Sequence, residues 1–192
     1  MTTWRPHFKE ATRRGWLLGL LCLFLAGGGA LAAESAGGAA EYQVKAAFLY
    51  NFTKFTEWPA DAFADTNAPI VIGVVGADPF GQMLDATVAG EVVRNRPLVV
   101  RRFRADEDLG GCHVLFISRS EQEHLPALLN PLKGRPVLTL ADASGFAEQG
   151  GMVNLLLVQK SVKLEINQAV AETAGLRISA KLLNLARSVK SK

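Results

Sequence analysis

The chain has 192 residues, with 21 Lys plus Arg against 18 Asp plus Glu, and the surplus sits at the start, where Arg5, Lys9, Arg13 and Arg14 face only Glu10. Without the first 32 residues, 17 basic and 17 acidic residues remain, which argues against a nucleic-acid binder that works by bulk positive charge and against a highly acidic partner surface. A content of 49% hydrophobic and 8% aromatic residues excludes a disordered or collagen-like chain.

Residues 1–32 have the form of a cleaved export signal: a basic n-region from Arg5 to Arg14, an apolar run from Trp16 to Ala26, and small residues at Ala30-Leu31-Ala32. The apolar run is broken by Gly27-Gly28-Gly29 and falls short of the ~20 residues that span a bilayer. Export to the periplasm follows, by the general route or, from Thr12-Arg13-Arg14-Gly15-Trp16-Leu17-Leu18, by a twin-arginine route. Cys22 leaves with the leader, so Cys112 is the one thiol of the mature chain and has no intrachain partner. The apolar run after it, Val114 to Ile117, predicts a buried thiol.

Residues 33–40, Ala, Gly and Ser with one Glu, read as a flexible tether to a single domain over 41–192. A helix is predicted from Glu41 to Glu57, with Val44, Phe48, Phe52 and Phe55 on the buried face and Lys45 and Lys54 off it; Trp58-Pro59 ends it. Ile70 to Val75 reads as a strand, after which Asp78 caps a helix started by Pro79. The glycines of Gly76 to Gly81 match neither a dinucleotide fingerprint nor a P-loop. Pro97 to Phe103 alternates as a strand with an arginine-rich, solvated edge, Cys112 to Ser118 as a central strand, Glu121 to Leu132 as a helix and Pro136 to Leu140 as a strand. Met152 to Val158 and Val162 to Asn167 form a hairpin; Asn167 caps a short helix that Gly175 ends, and Ser179 starts a last helix with Leu182, Leu183, Ala186 and Val189 toward the core. The fold class is therefore α/β, a single domain with a mixed sheet of five to six strands, flanking helices, and a C-terminal β-hairpin followed by helices.

No constellation with catalytic or metal-binding spacing emerges. His113 adjoins Cys112, but neighbours on a strand point to opposite faces. Asp142 and Ser144 lack a Gly-x-Ser-x-Gly elbow and a histidine to serve them. No cofactor motif is present and no enzymatic activity is expected; a hydrolase using Asp142 or Ser144 is a competing hypothesis.

Several segments together carry a resemblance: Val44-Lys45-Ala46-Ala47-Phe48-Leu49-Tyr50-Asn51-Phe52-Thr53-Lys54-Phe55 through Trp58-Pro59, Gly76-Ala77-Asp78-Pro79-Phe80-Gly81, Cys112 through Ser118, Val137 through Asp142, Gly150-Gly151-Met152-Val153-Asn154, and Leu164 to Asn167 running on to Leu176 through Leu183. In this order they resemble the YfiR family of bacterial periplasmic proteins, over almost all of residues 41–190. The resemblance implies a dimeric, non-enzymatic regulator. The best-known member of the family represses an inner-membrane diguanylate cyclase by binding the cyclase's periplasmic sensor region, an outer-membrane lipoprotein relieves that repression, and the resemblance implies the same role here. The family also serves sensor kinases or accompanies outer-membrane receptors, so the resemblance leaves the client open. Gly73 stands where many members carry a cysteine able to pair with the one matching Cys112, so that bridge is not expected here.

Guided by the family's use of its carboxyl-terminal part, the partner surface is placed on Glu165 and Asn167, facing outward, with Leu176, Arg177, Ile178 and Lys181. Leu176 and Ile178 act as anchors, and Glu165 and Lys181 as steering charges. The alternative at these positions is that Leu176 and Ile178 bury against the sheet. The alternative for the whole protein is a small-molecule binder with a pocket between the Gly76 to Gly81 edge and the Phe-rich helix.

Overall fold

The computed structural model describes residues 28–191; residues 1–27, most of the expected export signal, lie outside them. The chain divides into two units at Gly38 and Ala39. Of the first, the described part is the start of helix α1 (Gly28–Phe55), which includes the expected tether over 33–40. The alanines there favour helix by their propensity. Among the described residues no helix is long and apolar enough to cross a membrane.

In the second unit α1 runs into β1 (Thr56–Glu57), then β2 (Ile70–Val75), α2 (Gln82–Val88), β3 (Val92–Val93), β4 (Arg96–Phe103), β5 (Val114–Ile117), α3 (Leu125–Leu129), β6 (Leu138–Ala141), β7 (Val153–Val158), β8 (Ser161–Asn167), α4 (Gln168–Thr173), β9 (Arg177–Ile178), α5 (Ala180–Leu183) and β10 (Ala186–Lys190). Eight strands form one mixed sheet in the order β10-β8-β7-β6-β5-β2-β4-β3, and β1 pairs with β9 in a separate ribbon. The strands β2, β4, β5, β6 and β7 are parallel to their neighbours in that set. Their spatial order corresponds to the doubly wound pattern, with its switch point between β2 and β5.

The fold class is α/β with a mixed sheet, as the sequence indicated, and the extra strands are at the edges. β3 is two residues long, too short for periodicity to reveal. β10 replaces the carboxyl half of the expected last helix: α5 stops at Leu183, and Val189, expected in the core, is 38% exposed. β10 instead pairs in parallel with β8, because an edge strand offers unpaired backbone groups that a short helix cannot satisfy. The expected helix over 121–132 is broken into 3-10 and α segments by Pro126 and Pro131. The hairpin turn holds Gln159 at φ 48° and Lys160 at φ 64°, the doubly left-handed geometry of a two-residue β-turn. Asp78 bonds the Phe80 amide at 2.8 Å, and the helix begins only after Gly81. Pro79 therefore belongs to the turn rather than to the first helical position.

Both faces of the sheet are covered. One carries Ile72, Val74, Phe116, Leu140, Leu155 and Ile166 under α1, α2 and α4; the other carries Val75, Leu115 and Ile117 against Leu125, Leu128 and Leu129 of α3. The buried stripe of α1 is Lys45, Ala46, Leu49, Phe52 and Thr53, while Val44 is 45% exposed. The face read from the phenylalanines is thus rotated by about one residue, roughly 100°, and Lys45 lies inside it.

His113 is a structural histidine. Its Nδ1 accepts from the Val71 amide at 3.1 Å and its Nε2 donates to the Ala62 carbonyl at 3.1 Å. The ring stacks on Phe63 with centroids 4.4 Å apart. This bonding requires the neutral ring, and burial holds its pKa below the ordinary histidine value. The neutral form is favoured in the fold, so the stabilisation is complete above pH ~6.5 and is lost as pH falls through the lowered folded value. Melting temperature is expected to fall on acidification below that point. The His113→Gln variant, less stable at neutral pH, is expected to show a flatter pH profile; parallel profiles would overturn this assignment.

Candidate functional site

The antiparallel ribbon pairs Thr56 with Ile178 and Glu57 with Arg177, and the Ser179 amide donates to the Phe55 carbonyl at 2.9 Å. It fastens the end of α1 to the carboxyl-terminal segment in which the partner surface was expected. Within that segment Leu176 is fully buried and Ile178 is 8% exposed, both in the main apolar cluster. They are core residues, the alternative the sequence left open, and cannot serve as exposed anchors.

Asn167 is also inward rather than outward. Its side chain accepts from the Val170 amide at 3.3 Å, capping α4 as expected, and donates to the Ala147 carbonyl at 3.1 Å. Glu165 is half-buried beside Asn154 in the β7–β8 ladder. Arg177 and Lys181 remain exposed, and the Lys181 ammonium lies 5.5 Å from the centre of the Phe55 ring.

Around the ribbon the surface is concave. A cavity of about 480 Å³ lies between α4 and β9, lined by Gln168, Glu172 and Gly175 through Ile178. A second depression shares Gly175 and Arg177 with it and adds Glu57, Trp58 and Pro59. A third shares Glu57 and Arg177 and adds Lys54, Phe55, Arg94 and Ser179. The sequence pointed to Arg177 and Lys181 but not to Lys54, Glu57 or Arg94, which the ribbon brings beside them. Four cations on this face meet the two carboxylates Glu57 and Glu172. The closest approach, Arg94 to Glu57, is 3.7 Å between exposed groups and contributes little.

The carboxyl ends of the parallel strands, where doubly wound folds commonly bind ligands, are filled by the protein itself. The Ala77 amide donates to Ser120 Oγ at 2.9 Å, and Ser120 and Glu121 occupy the space a side chain at Gly76 would take. Arg102 holds Asp78 at 3.0 Å, Asp85 at 2.5 Å and the Gly81 carbonyl at 2.7 Å. The loop from Gly76 to Gly81 is thereby tied down rather than left open to a ligand.

At the end of β6, Asp142 is 4% exposed. Its Oδ2 accepts from Lys45 Nζ at 2.7 Å and from the Tyr42 hydroxyl at 2.7 Å, with Arg119 at 3.4 Å. Lys45 also pairs with Glu41. Burial, reinforced by the bond to Asp142, raises the Tyr42 pKa, so the hydroxyl stays a donor. Ser144, in contrast, is exposed on the following turn. This is an ionic fastening of α1 to the sheet, and the serine has no part in it.

Cys112 is buried, as expected, and its thiol donates to the Leu109 carbonyl at 2.9 Å. Burial pushes its pKa up to about 12, so little reactive thiolate forms at neutral pH. A Cβ at Gly73 would stand 2.8 Å from the Phe103 ring and 3.1 Å from Leu115. Aromatic packing thus occupies the space a side chain at Gly73 would need.

No curated protein matches the chain. The sequence model of the YfiR/HmsC-like family matches residues 42–187, a span that includes strands β1 through β9, the start of β10, and the Lys45–Asp142 fastening. The chain therefore belongs to the YfiR/HmsC-like family.

Proposed function

We propose that this protein is a periplasmic regulator that binds the periplasmic sensor region of an inner-membrane diguanylate cyclase and represses it, acting as a dimer and released by an outer-membrane lipoprotein. Family membership over residues 42–187 is the observation that carries this reading. The docking face is the concave surface around β9. Arg177 and Lys181 make the contacts there, Glu165 lies farther along β8, and Leu176, Ile178 and Asn167 hold the backbone from beneath. Although the chain beyond residue 32 is neutral overall, the cations gathered on this face match a local cluster of carboxylates on a partner and accelerate encounter more than they add affinity. Repression requires tighter binding to the inactive state of the sensor region than to the active one, and a difference of ~3 kcal/mol shifts the population ratio more than a hundredfold.

Deleting the gene in its host is expected to raise intracellular cyclic-di-GMP, and the wild-type gene to restore it. Arg177→Glu with Lys181→Glu is expected to fail to restore it, although the variant reaches the periplasm folded. Unchanged cyclic-di-GMP on deletion overturns the regulatory reading. Full complementation by the double variant overturns the docking face.

A further inference from the structure

A separate cavity of about 190 Å³ lies between the end of α1 and the β3–β4 hairpin, lined by Thr53, Trp58, Phe63, Ile70, Arg94 and Arg96. Its walls are held by bonds that need no ligand. The Trp58 indole donates to the His113 carbonyl at 3.2 Å, and Thr53 Oγ1 donates to the Tyr50 carbonyl at 2.6 Å. Phe63 is sandwiched between the His113 ring and the Arg96 guanidinium, whose central carbon is 3.7 Å from the ring centre. Ile70, 2% exposed, supplies an apolar floor.

The charges around this space do not balance. Arg96 is half-buried and spends Nη1 on the Asp65 and Ala68 carbonyls at 2.8 and 2.7 Å. Its Nε and Nη2 have no hydrogen-bond partner and no carboxylate pairs with it, among the described residues. Arg94 donates through Nη1 to the Thr56 carbonyl at 3.2 Å, leaving Nη2 the distant Glu57 alone. The turn before β4 holds Arg94 at φ 51° and Asn95 at φ 65°, a conformation that disfavours arginine, and Arg94 and Arg96 line the same cavity. The unpartnered N–H groups of Arg96 stay open to an incoming ligand, and the planar fork of a guanidinium matches a carboxylate.

We propose that this cavity binds a small organic carboxylate whose body is a single ring or a short branched chain. The carboxylate bridges Arg94 and Arg96, and the apolar body rests on Ile70 and Trp58. The space is below the ~300 Å³ at which pockets for drug-sized ligands begin, which excludes a nucleotide. Because Arg94 also lines the depression beside Arg177, the bound charge acts at the edge of the docking face. The binding itself does not rest on the regulatory reading.

The chain has three tryptophans, Trp4, Trp16 and Trp58, so the full chain carrying Trp4→Phe and Trp16→Phe reports on Trp58 alone. Titration with benzoate is expected to change its fluorescence saturably at roughly millimolar concentration or below. Benzamide, which lacks the charge, and acetate, which lacks the ring, are expected to bind at least ~tenfold more weakly. Arg94→Gln, at a half-exposed side chain whose loss leaves the core intact, is expected to weaken benzoate by a similar factor at an unchanged melting temperature. No saturable response to benzoate, an equal response to benzamide or acetate, or undiminished binding by Arg94→Gln overturns the proposal. Should Arg94→Gln melt early, the comparison of the three probes on the parent chain decides.

Discussion

Asp142→Ala is expected to destabilise the protein by about 3–5 kcal/mol, a fall in melting temperature of roughly 6–20 °C for a domain of this size. Lys45 is fully buried and Asp142 nearly so, and their charged atoms are 2.7 Å apart. Removing the carboxylate leaves a buried ammonium with only Glu41 to balance it and leaves the Tyr42 hydroxyl without its acceptor. Breaking one side of a buried pair costs more than the pair contributes, because the desolvated partner stays behind. Replacing both, with Lys45→Met and Asp142→Leu, is therefore expected to cost less than the sum of the two single changes, and urea unfolding of the four proteins measures the coupling. Strictly additive losses would show that the two groups act independently.

Ile178→Asp should unfold a substantial fraction of the protein, with a loss of more than ~3 kcal/mol. Read from the sequence, this change tests docking in an intact protein, since Ile178 looks like an exposed anchor. In the structure it is 8% exposed, paired with Thr56 across the ribbon and packed in the main cluster. An aspartate there loses the apolar burial and forces a carboxylate into a site with no partner. Arg177→Glu and Lys181→Glu change exposed groups on either side of it and are expected to stay within ~1 kcal/mol of wild type. Thermal unfolding separates the two cases. An Ile178→Asp protein that melts like wild type would mean the ribbon does not bury this residue in solution. Loss of repression by that variant alone therefore says nothing about docking, and the arginine and lysine variants carry the test.

The parts whose physics is local were legible in the residues alone. β2 can be read residue for residue, because a continuous apolar run bounded by Pro69 and Gly76 has only one comfortable state as a central parallel strand. The Asn167 cap and the helix stop at Gly175 with φ 74° follow from side-chain and backbone preferences acting over two or three residues; the hairpin was legible, but not that Gln159 and Lys160 alone make its turn. The segments resembling the YfiR family were likewise legible in order and spacing.

Which face of α1 goes inside depends on packing against distant segments. That helix is apolar around much of its circumference, so the pattern of phenylalanines did not show that Lys45 enters the core to meet a carboxylate from β6, 97 residues away. The same holds for the candidate surfaces. A two-residue ribbon has no periodicity to detect, yet it buries Leu176 and Ile178 and places Arg94 beside Arg177. A charge such as that of Arg96 is read from sequence as solvated by default. It becomes chemically distinctive only because Phe63 and two carbonyls hold it half-buried over an apolar floor. Local preferences choose elements, but burial is a property of what lies opposite, and residues far apart in the chain supply it.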